Sequence, residues 1–89
     1  MSAYDDIAST MAREGFRASL TTFHGRGTVL RVSDGNTAVL VFVGTGSVEV
    51  WPSPGDPNGM PLAWGAYDPQ HGVGVSEACE LIRTVVSGR

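Results

Sequence analysis

The side chains that could bind a metal ion or act as nucleophiles are few and far apart in this chain. There are two histidines, His24 and His71, and one cysteine, Cys79. None of them belongs to a C-x-x-C or H-x-x-x-H pattern of the kind that metal sites use. Cys79 lies at helical spacing from Ile82 and Val86, which indicates a small buried side chain rather than a reactive thiolate. We therefore expect no metal ion and no cofactor.

The carboxylates are not placed for acid–base chemistry either. Asp5 and Asp6 are adjacent on a predicted helix and diverge, and Asp34 belongs to a predicted turn. The sequence Gly72-Val73-Gly74 precedes a predicted helix, but Glu77 in the first turn of that helix would repel a phosphate. Although catalytic groups can meet from distant positions in a sequence, these residues predict a protein that is not an enzyme.

The charged residues are unevenly distributed along the chain. All six cations are arginines, and the formal net charge is −3. Residues 13–31 contain four arginines and one glutamate, a local balance of +3, whereas residues 32–82 contain six carboxylates and no arginine or lysine, a local balance of −6. A chain with this charge separation can associate with itself or with a charged partner. The negative net charge disfavours binding to nucleic acid.

The size and composition of the chain predict one cytoplasmic domain, residues 1–89. A domain of this length buries only about 60–65% of its unfolded surface, so that oligomerisation would add stability. A single cysteine favours a reducing compartment. The acidic start of the chain does not resemble a secretory signal, and no stretch approaches the roughly 20 apolar residues of a membrane span.

Hydrophobic periodicity predicts two helices and four or five strands. The first helix covers residues 2–15, with Ser2 as its N-cap and Gly15 at its end, and the second is capped by Ser76 and ends at Gly88. The predicted strands are 16–23, 28–33, 37–43, 47–52 and, more weakly, 62–67. Because the connections are short and rich in glycine, we expect an α+β fold: an antiparallel meander sheet with both helices packed on one face.

Three short turns are expected to set the register of the strands. The sequence predicts two-residue turns at Asp34-Gly35 and Thr45-Gly46 and a three-residue turn at 24–26. The first of these turns would place Leu30 directly opposite Val39, on the face of the sheet that the helices cover. We call this face the inner face and the opposite one the outer face.

The strand predicted at 37–43 is apolar on both faces, which a sheet covered on one face does not require. On the outer face, the sequence predicts an apolar centre with two arginines at its rim. The centre consists of Val29, Leu40, Phe42 and Trp51, and the rim contains Arg17 and Arg31. An apolar centre with tryptophan and arginine is typical of protein contact surfaces. We therefore expect a small regulatory module, of the kind found in bacteria and phages, that docks through these six residues on another protein or on its own copy.

Other uses of the outer face stay open. The second helix, or loop 52–61 with Trp64, could fold over it and bury it within the chain. Trp51, Trp64 and Tyr67 could instead line an aromatic pocket for a small ligand beside the same loop. A weak stacking surface for single-stranded nucleic acid could combine arginines with aromatic rings. Its members would be Arg17, Arg26, Arg31, Phe23, Phe42 and Trp51.

Overall fold

Two helices flank five strands along the chain in a computed structural model that describes residues 3–23, 25, 27–55 and 58–88. The helices are α1 (Ala3–Arg13) and α2 (Val75–Ser87). The strands are β1 (Arg17–Phe23), β2 (Gly27–Ser33), β3 (Ala38–Val43), β4 (Ser47–Pro52) and β5 (Ala63–Ala66). The strands pair antiparallel in the order β1-β2-β3-β4-β5. The predicted α+β meander, including its fifth strand, is confirmed.

Both helices pack on the inner face of the sheet and against each other. Ile7 and Met11 of α1 lie one turn apart and are buried, as is Ile82 of α2, so that each helix presents one apolar stripe to the sheet. Arg83 of α2 donates a hydrogen bond from Nε to Glu14 Oε1, just beyond the end of α1, at 2.5 Å. Because this ion pair is exposed to solvent, packing of the apolar stripes contributes most of the stability of the helix contact.

The C-terminal end of α1 agrees with the prediction from the sequence, whereas the N-terminal end of α2 differs from it. Gly15 has φ = +94°, which ends α1 with the left-handed residue that glycine tolerates best. The predicted cap at Ser2 lies outside the described residues. The predicted cap of α2 at Ser76 is wrong: the N-cap is Gly74, whose backbone N–H donates to the Glu77 carboxylate at 2.6 Å. The glutamate side chain replaces the serine because it reaches back to the free backbone donor.

The turn between β2 and β3 lies one residue later than the predicted turn at Asp34-Gly35. Ser33 is opposite Ala38, and the backbone N–H of Asp34 donates to Thr37 O at 3.2 Å, so that Gly35 and Asn36 form the turn. Asp34 Oδ1 accepts hydrogen bonds from the backbone N–H of Asn36 (2.8 Å) and of Thr37 (2.7 Å), which stabilises the turn at this position. The register differs from the predicted one by two residues. Since side chains alternate with period two, each residue of both strands stays on its predicted face.

The connection between β3 and β4 has the predicted length. Val43 is opposite Val48, and this register continues to Leu40 opposite Trp51. The two-residue turn is therefore confirmed, and Trp51 lies on the outer face together with Leu40.

The register of β1 and β2 also agrees with the sequence. Phe23 is opposite Gly27, which corresponds to the predicted three-residue connection, and Leu20 is opposite Leu30. The turn residues His24 and Arg26 themselves lie outside the described residues.

The sheet has one apolar core on each face. The inner core joins both helices to the central strands through Ile7, Met11, Leu30, Val32, Val39, Val41, Val48, Val50, Ala78, Cys79, Ile82 and Val86. The outer core consists of Phe23, Val29, Leu40 and Trp51, with Phe42 half-buried beside it. The rings of Phe23 and Trp51 meet edge to face with their centroids 5.1 Å apart, a favourable aromatic geometry.

The loop that follows β4 covers the outer core. A Cβ atom on Gly55 would lie only 2.5 Å from Phe23 Cε1 and 2.9 Å from Leu40 Cδ1, so that the backbone itself rests on these two side chains. Only glycine permits such a close approach. This part of the outer core is thus covered within the chain by the loop, while the rest of the outer face remains accessible. Trp64, which the sequence grouped with the loop in that role, is exposed and lies outside the outer core.

Replacing Gly55 by alanine tests this close approach. We expect Gly55→Ala to lower the free energy of unfolding by about 1–3 kcal/mol, because the added methyl group overpacks the outer core. The matched control is Gly65→Ala in β5, where the new Cβ would meet only Leu81 Cδ2 at 3.9 Å, and its effect should stay within about 1 kcal/mol in either direction. Urea denaturation measures both variants, and equal stabilities would contradict the proposed packing.

The loop between β2 and β3 should make stability depend on pH in acid. The backbone N–H groups of Thr37 and Asn36 lower the pKa of the Asp34 carboxyl below its ordinary value. Because the folded pKa is the lower one, the ionised carboxylate stabilises the fold above the unfolded pKa of about 3.9, and this stabilisation is lost as the pH falls through the folded pKa. NMR titration of the carboxyl carbon measures the shift, and an unshifted or raised pKa would contradict it. Asp34→Asn should remove this part of the acid dependence.

Candidate functional site

Three of the six residues predicted for partner binding lie in the outer core. Val29, Leu40 and Trp51 are at most 4% exposed. Leu40 is covered because Gly55 lacks a side chain and lets the loop backbone contact it directly. Val29 and Trp51 are buried in the same cluster. The expectation that the apolar centre of the outer face lies open is therefore wrong for these three side chains. A protein partner could pack against them only after the loop had moved, because no more than their edges meet solvent.

The other three predicted residues are accessible to solvent. Phe42 is half-buried at the border of the outer core, and Arg17 and Arg31 are exposed on β1 and β2. Arg17 is opposite Ser33 and Arg31 is opposite Ser19, so that the two arginines are diagonal neighbours on the outer face. Within the described parts of the chain, neither arginine forms an ion pair.

An open apolar surface lies at the β5 end of the sheet. Trp64 is 65% exposed and Met60 is 75% exposed. Together with Ser47, Glu49 and Pro61 they line an open groove of about 320 Å³. We call these five residues the Trp64 groove. Large apolar side chains that remain this exposed on a folded domain are a common sign of a contact surface.

The strand register determines which residues enter the Trp64 groove. Phe42 is opposite Glu49, and Glu49 is opposite Trp64, so that the three lie in one row on the outer face. Trp51 donates a hydrogen bond from Nε1 to Glu49 Oε1 at 2.8 Å. This bond holds the carboxylate at the boundary between the outer core and the groove.

The groove lies beside an edge of the sheet. β5 pairs with β4, and no described residue forms a strand on its other side. Backbone hydrogen bonds hold β5 to β4 beyond both of its ends, from Leu62 N to Val50 O at 2.7 Å and from Tyr67 N to Gly46 O at 3.1 Å. The other edge of a strand held in this way offers backbone donors and acceptors to an added extended segment.

The charge of the Trp64 groove is negative. Glu49 lines the groove, and Asp68 follows β5 in the chain. Asp68 Oδ2 lies 2.7 Å from His71 Nδ1, in an exposed pair. Since residues 32–82 contain no arginine or lysine, this end of the domain should attract cationic groups.

The three aromatic residues predicted to form a ligand pocket do not share one. Trp51 lies in the outer core, Trp64 lines its own groove, and Tyr67 packs half-buried against the inner core. Burial is the main cause that raises the pKa of the Tyr67 hydroxyl, and the nearby Asp6 carboxylate raises it further.

The stacking surface considered for single-stranded nucleic acid also lacks accessible rings at Phe23 and Trp51, because both are buried in the outer core.

The single thiol is part of the inner core. Cys79 is buried in α2, and burial raises the pKa of its thiol, which disfavours the reactive thiolate.

In the described ranges, no cluster of three or more His, Cys, Asp or Glu side chains is arranged to hold a metal ion. The helices seen there also lack the length and the apolar character needed to cross a membrane.

Comparisons with known proteins show no similarity for this chain. No family model, no curated protein and no solved structure matches it. Any functional proposal therefore depends on the residues and the geometry described above.

Met60 is the groove residue that sequence reasoning missed. The signal is an alternation at the end of the proline-rich loop, where the large side chains of Met60, Leu62 and Trp64 are separated by smaller residues. In β5 Gly65 faces α2, because a Cβ atom added to it would lie 3.9 Å from Leu81 Cδ2. The large apolar residues consequently lie on the exposed face, the reverse of the usual pattern for a half-buried strand.

A pair of leucine substitutions should separate the outer core from the exposed surface. We expect Leu40→Ala to lower the free energy of unfolding by about 2–4 kcal/mol, because it leaves a cavity beneath the loop. Leu62→Ala is the matched control: its side chain is partly exposed near β5, and its cost should be below about 1 kcal/mol. Chemical denaturation monitored by circular dichroism measures both, and a small effect of Leu40→Ala would show that the outer core is not closed.

Proposed function

We propose that this protein is a small docking module, not an enzyme, that binds an extended basic segment of another protein at the Trp64 groove. The observation that supports this proposal is the pair of largely exposed side chains, Trp64 and Met60, beside an edge strand of the sheet. The contact surface on the outer face is thus moved from its predicted centre at Leu40 and Trp51 toward β5, with Phe42 at its border.

The apolar part of the groove supports binding to a protein. Tryptophan and methionine are enriched in protein interfaces, and tryptophan is frequent among the residues that contribute most to affinity. Trp64 makes little contribution to folding because it lies outside both cores. Its exposure therefore has no evident structural purpose, and a role in binding accounts for it.

The edge of β5 supports an extended partner. A segment that adds to this edge would gain backbone hydrogen bonds, and its alternate side chains would point toward the outer face. One of these side chains, if apolar, would contact Trp64 and Met60. Because β5 has only four residues, a short segment suffices.

The charge pattern supports a basic partner over a symmetric dimer. Glu49 lies in the groove, and residues 32–82 contain only negative charges. A twofold dimer that paired this surface with itself would bring like charges together, which costs binding energy. Lysine or arginine residues flanking the apolar contact would instead be attracted to the groove.

The proposal also includes a cytoplasmic location and no nucleic-acid partner. The one cysteine is a free thiol in the inner core, which suits a reducing compartment. The net charge of −3 opposes binding to phosphate backbones.

A pair of synthetic peptides tests the proposal. The probe is a blocked hexapeptide that alternates Lys with Val and Leu, and its control has Glu in place of each Lys. We expect the basic peptide to change the emission of Trp64 and the backbone NMR signals of β5, with an affinity at least tenfold higher than that of the acidic peptide. Trp64→Ser should weaken binding at least tenfold. Leu20→Ser, which changes an exposed leucine on β1 at the opposite edge of the sheet, should not alter it.

Two results would overturn the proposal. One is equal binding, or no binding at millimolar concentration, for the two peptides. The other is a solution mass, measured by light scattering, that corresponds to a dimer disrupted by Trp64→Ser, because the occupant of the groove would then be a second copy of the chain.

A further inference from the structure

A second concave region lies on the outer face, near β1 and separate from the Trp64 groove. It is a cleft of about 290 Å³ between the loop after β4 and the strands β1 and β2. We call it the Arg31 cleft; its lining residues are Thr21, Thr22, Phe23, Arg31, Leu40, Ser53, Pro54 and Gly55. Its volume is near the lower end of the range for small-molecule sites.

The walls of the Arg31 cleft differ in chemistry. Pro54 provides exposed apolar surface, and Phe23 and Leu40, which are 2% and 4% exposed, add only the edges that reach the floor of the cleft. Arg31 provides a guanidinium group, and Thr21 and Ser53 provide hydroxyl groups. A site with an apolar wall and a few polar groups suits a ligand that has an apolar body and one polar end.

Arg31 is available to an anion. It forms no ion pair with any residue in the described parts of the chain, although the chain has more acidic than basic residues. A guanidinium group binds carboxylates through two parallel hydrogen bonds. Such a contact would be stronger beside the apolar wall than on an open surface, because the wall excludes water from one side.

We propose that the Arg31 cleft binds a small organic monocarboxylate, with the carboxylate on Arg31 and the hydrophobic body against Pro54 and the edges of Phe23 and Leu40 at the floor of the cleft. Among the described residues that line the cleft, one cation matches one negative charge. A phosphate dianion would require more positive charge than these described residues offer, since Arg17, which is diagonal to Arg31 in the ladder, is not one of them. The loop that closes the outer core thus also forms one wall of a binding site.

Benzoate is the probe for this site, and benzamide is its neutral analogue of nearly the same shape. We expect benzoate to shift the amide NMR signals of Thr21, Phe23 and Gly55, and to bind at least tenfold more tightly than benzamide. Arg31→Gln should weaken benzoate binding at least tenfold. Arg13→Gln is the control, because it removes the same charge from an exposed residue of α1 that does not line the cleft, and it should change the affinity less than twofold.

Inorganic phosphate distinguishes a carboxylate site from a general anion contact. We expect phosphate to bind at least tenfold more weakly than benzoate. Equal binding of phosphate and benzoate would overturn the proposal, because the apolar wall would then contribute nothing. Equal binding of benzoate and benzamide would also overturn it. An unchanged benzoate affinity of Arg31→Gln, or the absence of NMR shifts at about 50 mM benzoate, would do the same.

Discussion

The two-sided apolar character of β3 is the constraint on which the rest of this structure depends. Val39 and Val41 are buried on the inner face and Leu40 is buried on the outer face, so that each side of the strand needs a cover. Exposing either set to water would cost about 25 cal/mol for each Å² of apolar surface. The helices cover one side. On the other side a short loop is sufficient, because Gly55 lets its backbone approach Leu40 directly.

This double cover determines where the surface chemistry of the domain lies. Gly55, in the loop after β4, lies on the outer core, and two separate concave regions remain on the outer face. At one end lies the Arg31 cleft, which has a cation and an apolar wall, and at the other lies the Trp64 groove, which has a carboxylate and exposed apolar side chains. The opposite charges of the two ends follow the charge separation along the chain, because β1 and β2 come from its basic part and β4 and β5 come from its acidic part.

Local patterns predicted most of the fold, and the errors have local causes as well. The strand-forming segments and their faces were predicted correctly because alternation with period two is unaffected by an even shift of register. The β2–β3 turn was predicted one residue too early because the hydrogen bonds that Asp34 accepts from Asn36 and Thr37 stabilise a turn at Gly35-Asn36 instead of Asp34-Gly35. The cap of α2 was misplaced because Glu77 reaches back to Gly74.

The sequence by itself determined the elements, their order, the faces of the strands and the excess of apolar surface on β3, since these depend on near neighbours in the chain. Only the tertiary structure decided what covers the outer face, and therefore that Leu40 and Trp51 are core residues while Trp64 and Met60 are exposed. The physical reason is that covering the outer face depends on the path of a proline-rich loop between strands. That path is decided by the close contact of Gly55 with Phe23 and Leu40, residues that are distant from it in sequence.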